Sequence, residues 1–148
     1  MCAVTGDIAS HRFLVATNSH KKENEVHLLH YSEDSNRIDQ EAVFSLDNGD
    51  AEIWSMSASP YNKEVFACGL SYKGVDESTS HKVAVLDMSE VLEASKDFDK
   101  KKIRAKVELD GHTSTIHSIQ WEDQEASEGF TAKELVTGDS NGVIVWDL

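Results

Sequence analysis

Short apolar segments separated by polar turns run along the whole chain. Their residues are mostly β-branched or aromatic, and clusters of Asp, Asn, Ser and Gly stand between them. This pattern is typical of β-strands and predicts an all-β fold of about ten antiparallel strands. The predicted strands are residues 12–17, 25–31, 42–46, 53–58, 65–70, 82–87, 103–109, 115–121, 134–137 and 143–146. One short helix is expected after Asp87, because Asp87 and Glu90 have the spacing of a capping box.

The predicted strands also repeat in kind. Three similar strands, at 12–17, 64–69 and 133–138, are each followed by a turn and a second apolar strand, at 26–29, 83–86 and 143–146. A repeat of this kind indicates one supersecondary unit used several times. It divides the chain into approximate units 11–46, 51–109 and 111–148, preceded by a segment, residues 1–10, that we expect to be flexible.

The third unit carries a recognisable signature. It opens with Gly111-His112, contains Leu135-Val136-Thr137-Gly138-Asp139 and closes with Trp146-Asp147. It resembles a WD40 repeat, which implies a partial β-propeller of about two and a half blades. The resemblance also implies a structural network of His112, Thr137, Asp139 and Trp146 beside the terminal Asp147. The usual acidic turn position is taken by Ser140, so either the turn is shifted by one residue or the network is incomplete.

A narrower resemblance covers about residues 11–148. The segments at residues 12–17, 52–60 and 143–148 are similar to the N-terminal blades of the EARP and GARP complex-interacting protein family, and Glu52-Ile53-Trp54 with Ser57-Ala58-Ser59-Pro60 is the most specific part. The resemblance implies a non-enzymatic scaffold that binds the EARP and GARP tethering complexes. These complexes act in endosomal recycling and endosome-to-Golgi retrograde transport. The implied location is cytoplasmic, at the surface of the trans-Golgi network and recycling endosomes.

The net charge of the chain narrows the classes of molecule that it is expected to bind. The chain has 27 acidic and 14 basic residues, a net charge of −13. Such a field repels nucleic-acid phosphates and anionic lipid head groups, so we expect neither nucleic-acid binding nor direct membrane binding. The N-terminus has no signal-peptide pattern and no stretch is apolar enough to span a bilayer, which favours a cytosolic protein.

The sequence offers no catalytic, cofactor or metal constellation. The histidines have no ligand spacing, no nucleotide-binding glycine pattern occurs, and no small-molecule substrate is indicated. Cys68 is interpreted as a small buried apolar residue, and a disulfide with Cys2 is not expected. Trp54 and Trp121 occupy equivalent strands and are predicted to lie in the core, although Trp side chains on an outer surface would be candidate partner anchors.

Two further interpretations stay open from sequence. The chain could be a generic WD40 adaptor in chromatin or ubiquitin-ligase assemblies, where an acidic surface would suit basic partners. An open set of blades is also expected to leave apolar side chains uncovered at its two ends, such as Phe13, Val15, Val143 and Val145, and therefore to self-associate.

Overall fold

The computed structural model describes residues 1–7, 9–19, 22–47, 51–93, 101–122 and 134–148. These residues form twelve strands and one short helix: β1 Cys2–Ala3, β2 His11–Ala16, β3 Glu25–Ser32, β4 Arg37–Leu46, β5 Glu52–Ala58, β6 Val65–Lys73, β7 Thr79–Asp87, α1 Ser89–Glu93, β8 Lys101–Ile103, β9 Ala105–His112, β10 Ser118–Trp121, β11 Glu134–Gly138 and β12 Val143–Asp147. The all-β prediction is confirmed, and so is the short helix, whose first turn is capped by the Asp87 carboxylate.

The first sheet has the order β1-β2-β3-β4-β8. The sequence predicted only its three central strands. β1 was not predicted, because two residues are too few to show an alternating pattern. Its residues belong to the segment expected to be flexible, but they are paired with β2, with Cys2 opposite Leu14. β8 pairs in parallel with β4, with Ser45 opposite Lys102.

The second sheet has the order β5-β6-β7-β9, and every neighbouring pair is antiparallel. This confirms the antiparallel pairing predicted for the strands at residues 53–58, 65–70 and 82–87. One boundary was wrong: the predicted strand 103–109 is broken at Arg104, so that Ile103 pairs with the first sheet and only residues after it pair with β7. The backbone N–H of Asp47 also donates to the Ile103 carbonyl at 2.9 Å. The chain thus crosses from one sheet to the next at this point.

The third sheet is formed by β10, β11 and β12, again antiparallel. Its first strand starts at Ser118, three residues later than predicted. Ile116 is fully buried before that strand begins, and its carbonyl accepts a hydrogen bond from Ser55 of the second sheet at 2.8 Å. Ile116 thus contacts the neighbouring sheet, and pairing with β11 begins at the next residue, where the His117 N–H donates to the Gly138 carbonyl at 2.9 Å. The segment between the predicted strands 115–121 and 134–137 lies almost wholly outside the described residues.

The three sheets pack face to face in chain order, and none of them closes on itself. A large apolar core joins the first sheet to the second, and it includes Leu14, Phe44, Phe66 and Leu86. A smaller core joins the second sheet to the third, formed by Ala67, Val83, Val85, Ile116, Ile119, Trp121 and Leu135. This is an open, propeller-like arrangement in which each of the two apolar cores joins sheets that are neighbours along the chain.

The register corrects the repeat alignment by one residue in the first sheet. Gly69 is opposite Val83 and Gly138 is opposite Val143, whereas Val26 is opposite Ala16 and not Thr17. A slip of one residue moves every side chain of a strand to the other face of its sheet. The strand at 12–17 must therefore be shifted by one position before its residues are compared with the other two sheets.

Candidate functional site

A chain of polar side chains is buried between the second and third sheets. Trp146 Nε1 donates to Thr137 Oγ1 at 2.7 Å, and Thr137 Oγ1 lies 2.6 Å from His112 Nε2. His112 Nδ1 lies 3.2 Å from Asp139 Oδ2. If Nδ1 carries the imidazole hydrogen, Thr137 donates to Nε2, and each link of the chain has one donor and one acceptor. The structure brings these four of the five expected residues together.

Asp139 lies at the end of this chain of hydrogen bonds, where backbone N–H groups donate to its carboxylate. Its Oδ2 accepts from the N–H groups of Thr113 and Ser114, both at 3.1 Å. Its Oδ1 accepts from the N–H groups of Asn141 and Gly142 at 2.8 and 2.9 Å. The carboxylate thus joins the loop before β10 to the turn before β12. The acidic position is shifted by one residue, and Ser140 does not interrupt the network.

These hydrogen bonds determine the pKa of the Asp139 carboxyl group. Burial, with only 4% of the side chain exposed, would by itself raise its pKa. Hydrogen bonds from the Asn141 backbone, the His112 side chain and the Ser114 and Thr113 backbone outweigh burial and hold the pKa well below its ordinary value of 3.8. Asp139 is therefore ionised at neutral pH, as an acceptor of several N–H donors requires.

The network positions loops, and its two central side chains are buried. His112 and Thr137 are 8% and 0% exposed as residues, so neither is open to a substrate. Gly111 is required next to them, because its φ is +158° and a Cβ there would lie 3.2 Å from the Trp146 ring. Asp147 lies outside the network, as an exposed residue opposite Glu134 at the end of β12.

The first two sheets replace this network with apolar residues. By register, the position of Thr137 is taken by Cys68 in the second sheet, and that of Trp146 by Leu86. In the first sheet a different residue ties the loops: Asn24, 3% exposed, donates to the carbonyls of Ser19 and Ala51 at 3.1 and 2.9 Å. Asn24 was not predicted from the sequence, although an asparagine directly before a strand is a usable signal.

Trp54 corrects the prediction that both tryptophans lie in the core. Trp121 is 4% exposed and donates its indole N–H to the Ser57 carbonyl at 3.0 Å, whereas Trp54 is 45% exposed. The cause is a register shift between Ile53 and Ser55, where Trp54 is an extra residue on β5. Such a bulge turns the side chain out of the regular alternation. The Trp54 indole N–H is held by Glu52 Oε2 at 3.2 Å.

Exposed loops surround Trp54 at one end of the sheets. We call this the loop end: it comprises the start of β5, the β6–β7 turn at residues 74–78, the segment 113–117 and the turn 139–142. Register places them together, since Glu52 is opposite Ser71 near the end of β6, and His112 is opposite His81 near the start of β7. Val75 in the β6–β7 turn is fully exposed. The loop end is the candidate interaction surface.

The two cysteine thiols are further reactive groups. Both cysteines are free; Cys68 is fully buried, and burial raises the pKa of each thiol, most strongly for Cys68. Cys2 lines a cavity of about 360 Å³ together with Ala3, Thr5, Ser57, Ala58, Pro60, Gln120 and Trp121. Within the described residues, no group of three His, Cys, Asp or Glu side chains is arranged to hold a metal ion, and no helix is long and apolar enough to cross a membrane.

Comparison with known proteins agrees with this geometry. No family model matches the chain. A WD repeat-containing protein, DWA2 of Arabidopsis thaliana, is 28% identical over 136 residues, which are 92% of this chain. The chain is similar to WD-repeat proteins. It is also 31% identical over 152 aligned positions to the EARP-interacting protein homolog of Gekko japonicus and 29% identical to the EARP and GARP complex-interacting protein 1 of Macaca fascicularis. Each of these two alignments covers 97% of this chain.

The matches cover only part of those relatives. The chain spans 34% of the Arabidopsis protein and 37% of the gecko and macaque proteins, about a third of their length. The expected resemblance to the EARP and GARP complex-interacting family is confirmed along most of this chain.

Proposed function

We propose that the chain is part of a non-enzymatic WD-repeat scaffold that binds the EARP and GARP vesicle-tethering complexes. It would act in endosomal recycling and endosome-to-Golgi retrograde transport, in the cytoplasm at the surface of recycling endosomes and the trans-Golgi network. The observation that carries the proposal is the similarity along 97% of the chain to relatives named for interaction with these complexes.

The loop end supports a binding role. Trp54 offers a large apolar surface that is 45% exposed, and its orientation is fixed by the hydrogen bond to Glu52. Tryptophan is enriched among the residues that dominate binding energy, and a fixed side chain loses little entropy on binding. The His112 network holds the neighbouring loops in place, so the surface is formed before a partner arrives.

The test is direct binding of the 148-residue chain to purified EARP and GARP complexes. Capture of either complex is expected, and Trp54→Ala should weaken it by about tenfold or more. Ile38→Ala is the matched control, because Ile38 is 67% exposed but lies near the start of β4, away from the loop end. Failure to bind either complex, with binding of nucleosomal or ubiquitin-ligase components instead, would favour the adaptor function.

A second readout concerns location. Fluorescently labelled chain should overlap with tethering-complex markers on recycling endosomes and the trans-Golgi network, and the overlap should fall when a tether subunit is depleted. Uniform distribution that does not respond to depletion would contradict the proposed location, whatever the binding assay shows.

A further inference from the structure

The exposed surface of Trp54 restricts what the loop end can recognise. Its indole N–H already donates to Glu52 Oε2 at 3.2 Å, and an indole has no second polar hydrogen to offer a partner. The surface that remains, on a residue that is 45% exposed, is therefore ring surface. The face of an aromatic ring carries partial negative charge and attracts a cation. The bulge that exposes this ring lies in the second sheet, which is covered by an apolar core on each side.

The charged side chains of the loop end are carboxylates. Glu52 lies two residues before Trp54, and Asp76 and Glu77 are exposed in the β6–β7 turn. The residues that define the loop end are all described, and they include no lysine or arginine; Lys73, at the end of β6, is the basic residue next to the turn. The whole chain has a net charge of −13. A surface of this sign attracts a cationic partner and repels an acidic one.

The β6–β7 turn holds its carboxylates in a fixed place. Asp76 Oδ1 accepts from the hydroxyl and the backbone N–H of Ser78 at 2.5 and 3.2 Å. These bonds lower the pKa of Asp76, which is therefore ionised at neutral pH. Glu77 has a φ of +65°, a conformation uncommon for a residue with a side chain. Because Ser71 is opposite Glu52, the turn begins about three residues, or roughly 10 Å, further along the sheet than Glu52.

We propose that the loop end binds a basic, extended segment of its protein partner, with an arginine side chain stacked on Trp54 and a second basic side chain at the β6–β7 turn. The inference rests on the proposed function, because it names the chemistry that the same surface recognises. A guanidinium group stacks on an aromatic face and is weakly hydrated, so it suits Trp54 better than an ammonium group does. About four extended residues span the roughly 10 Å between the two positions.

Other kinds of segment fit this surface less well. An acidic segment would be repelled by Glu52, Asp76 and Glu77. A purely apolar segment would pack against Trp54, but it would remove water from the neighbouring carboxylates without supplying a charge in return. A basic segment satisfies both features of the surface.

Fluorescence anisotropy with labelled hexapeptides tests the proposal on the 148-residue chain at about 0.15 M salt. The first probe alternates arginine and serine, and two matched probes carry citrulline or glutamate in place of arginine. Citrulline has nearly the shape of arginine but no charge, so its probe should bind at least about tenfold more weakly than the arginine probe. The glutamate probe should not bind measurably.

Three variants locate the bound probe. Trp54→Ala should weaken binding of the arginine probe by about tenfold. Glu52→Gln keeps an oxygen that can accept from the indole N–H but removes the charge, and it should weaken binding by about threefold or more. Asp34→Asn is the matched control, because Asp34 is exposed in the turn after β3, whereas Asn24, before the start of β3, contacts Ala51 beside the loop end. That control should change affinity by less than about twofold.

Equal binding of the arginine and citrulline probes would overturn the inference, and so would equal losses in Glu52→Gln and Asp34→Asn. Circular dichroism checks that each variant is folded. Competition separates this inference from the tethering function, since excess arginine probe should displace the EARP or GARP complex from the chain. A complex that binds through Trp54 and is not displaced would refute the basic segment and leave the tethering function intact. A probe that binds through Trp54, without capture of either complex, would refute the tethering function alone.

Discussion

Replacement of Thr137 by valine isolates the contribution of the polar network. Valine has nearly the same shape as threonine, so packing at this fully buried position is preserved. The change removes one hydroxyl that serves two partners, the Trp146 indole at 2.7 Å and the His112 imidazole at 2.6 Å. Both partners would then lose this hydrogen bond.

The expected loss of stability follows from those two hydrogen bonds. A buried polar group left without a partner costs about 1–3 kcal/mol. The His112 side chain is 1% exposed and bears the full cost, whereas the Trp146 N–H, which is only partly buried, bears less. The sum is about 3 kcal/mol of stability in the third sheet, or roughly a hundredfold more frequent opening.

Native-state hydrogen exchange measures this locally, without assuming that the whole chain unfolds in one step. Amides of β11 and β12 should exchange roughly a hundredfold faster in Thr137→Val. Thr137→Ser is the matched control: it keeps the hydroxyl, loses one methyl group and should accelerate exchange by less than about tenfold. Equal effects of the two substitutions would refute the argument that the hydroxyl holds the third sheet.

Three other perturbations test separate parts of the structure. Asp139→Asn should flatten the acid sensitivity of β11 and β12 exchange. A carboxyl whose pKa is lowered by folding stabilises the fold above its ordinary value of 3.8 and loses this contribution as pH falls below it; an unchanged pH profile would contradict this. Gly69→Ala should lower the free energy of unfolding by about 1–3 kcal/mol in chemical denaturation, because the new Cβ would lie 2.5 Å from one side chain and 2.9 Å from another. Gly142→Ala, whose Cβ would have nothing within 4 Å, should change it by less than about 0.5 kcal/mol. Trp121→Phe should destabilise the fold by about 1–3 kcal/mol, because it loses the hydrogen bond to a main-chain carbonyl. Trp54→Phe, at an exposed position, should cost less than about 0.5 kcal/mol. Equal losses of stability would contradict the different environments of the two side chains.

Local patterns predicted the strands, and the resemblance to a WD40 repeat predicted the residues of the buried network. Alternation of apolar and polar residues specifies a strand directly. The residues of the network occur in a recognisable order, and a shift of one residue at Asp139 is absorbed by the turn, whose backbone N–H groups still point at its carboxylate.

Features that depend on distant segments could not be predicted in this way. Ile103 pairs with the first sheet because the chain between β7 and β9 returns to β4, and no alternation within residues 103–109 encodes that return. The exposure of Trp54 results from a bulge on β5, which depends on how β6 pairs beside it. The same limit applies to the first sheet, where sequence similarity placed the strand at 12–17 one residue out of register.

The two interfaces between sheets differ in chemistry, and this difference determines which part of the molecule opens first. The interface between the first and second sheets is a large apolar core, reinforced by β8 and by the hydrogen bonds from Arg104 to Asp47 at 3.0 and 3.1 Å. Arg104 has an 81% exposed side chain, so that ion pair adds little, and the core itself must supply the stability.

The interface between the second and third sheets has a smaller core and relies more on directed bonds. Ser55 donates to the Ile116 carbonyl at 2.8 Å, Tyr61 to the Glu122 carbonyl at 3.0 Å, and Trp121 to a main-chain carbonyl of β5. Hydrogen bonds fix one geometry but lose their stabilising energy over a short displacement, whereas the stabilising energy of apolar contacts declines gradually. The third sheet should therefore detach before the first two separate, and its detachment would also release the loops that Asp139 joins. Binding at the loop end requires the third sheet in place, so a partner bound there should stabilise the sheet with the weakest attachment.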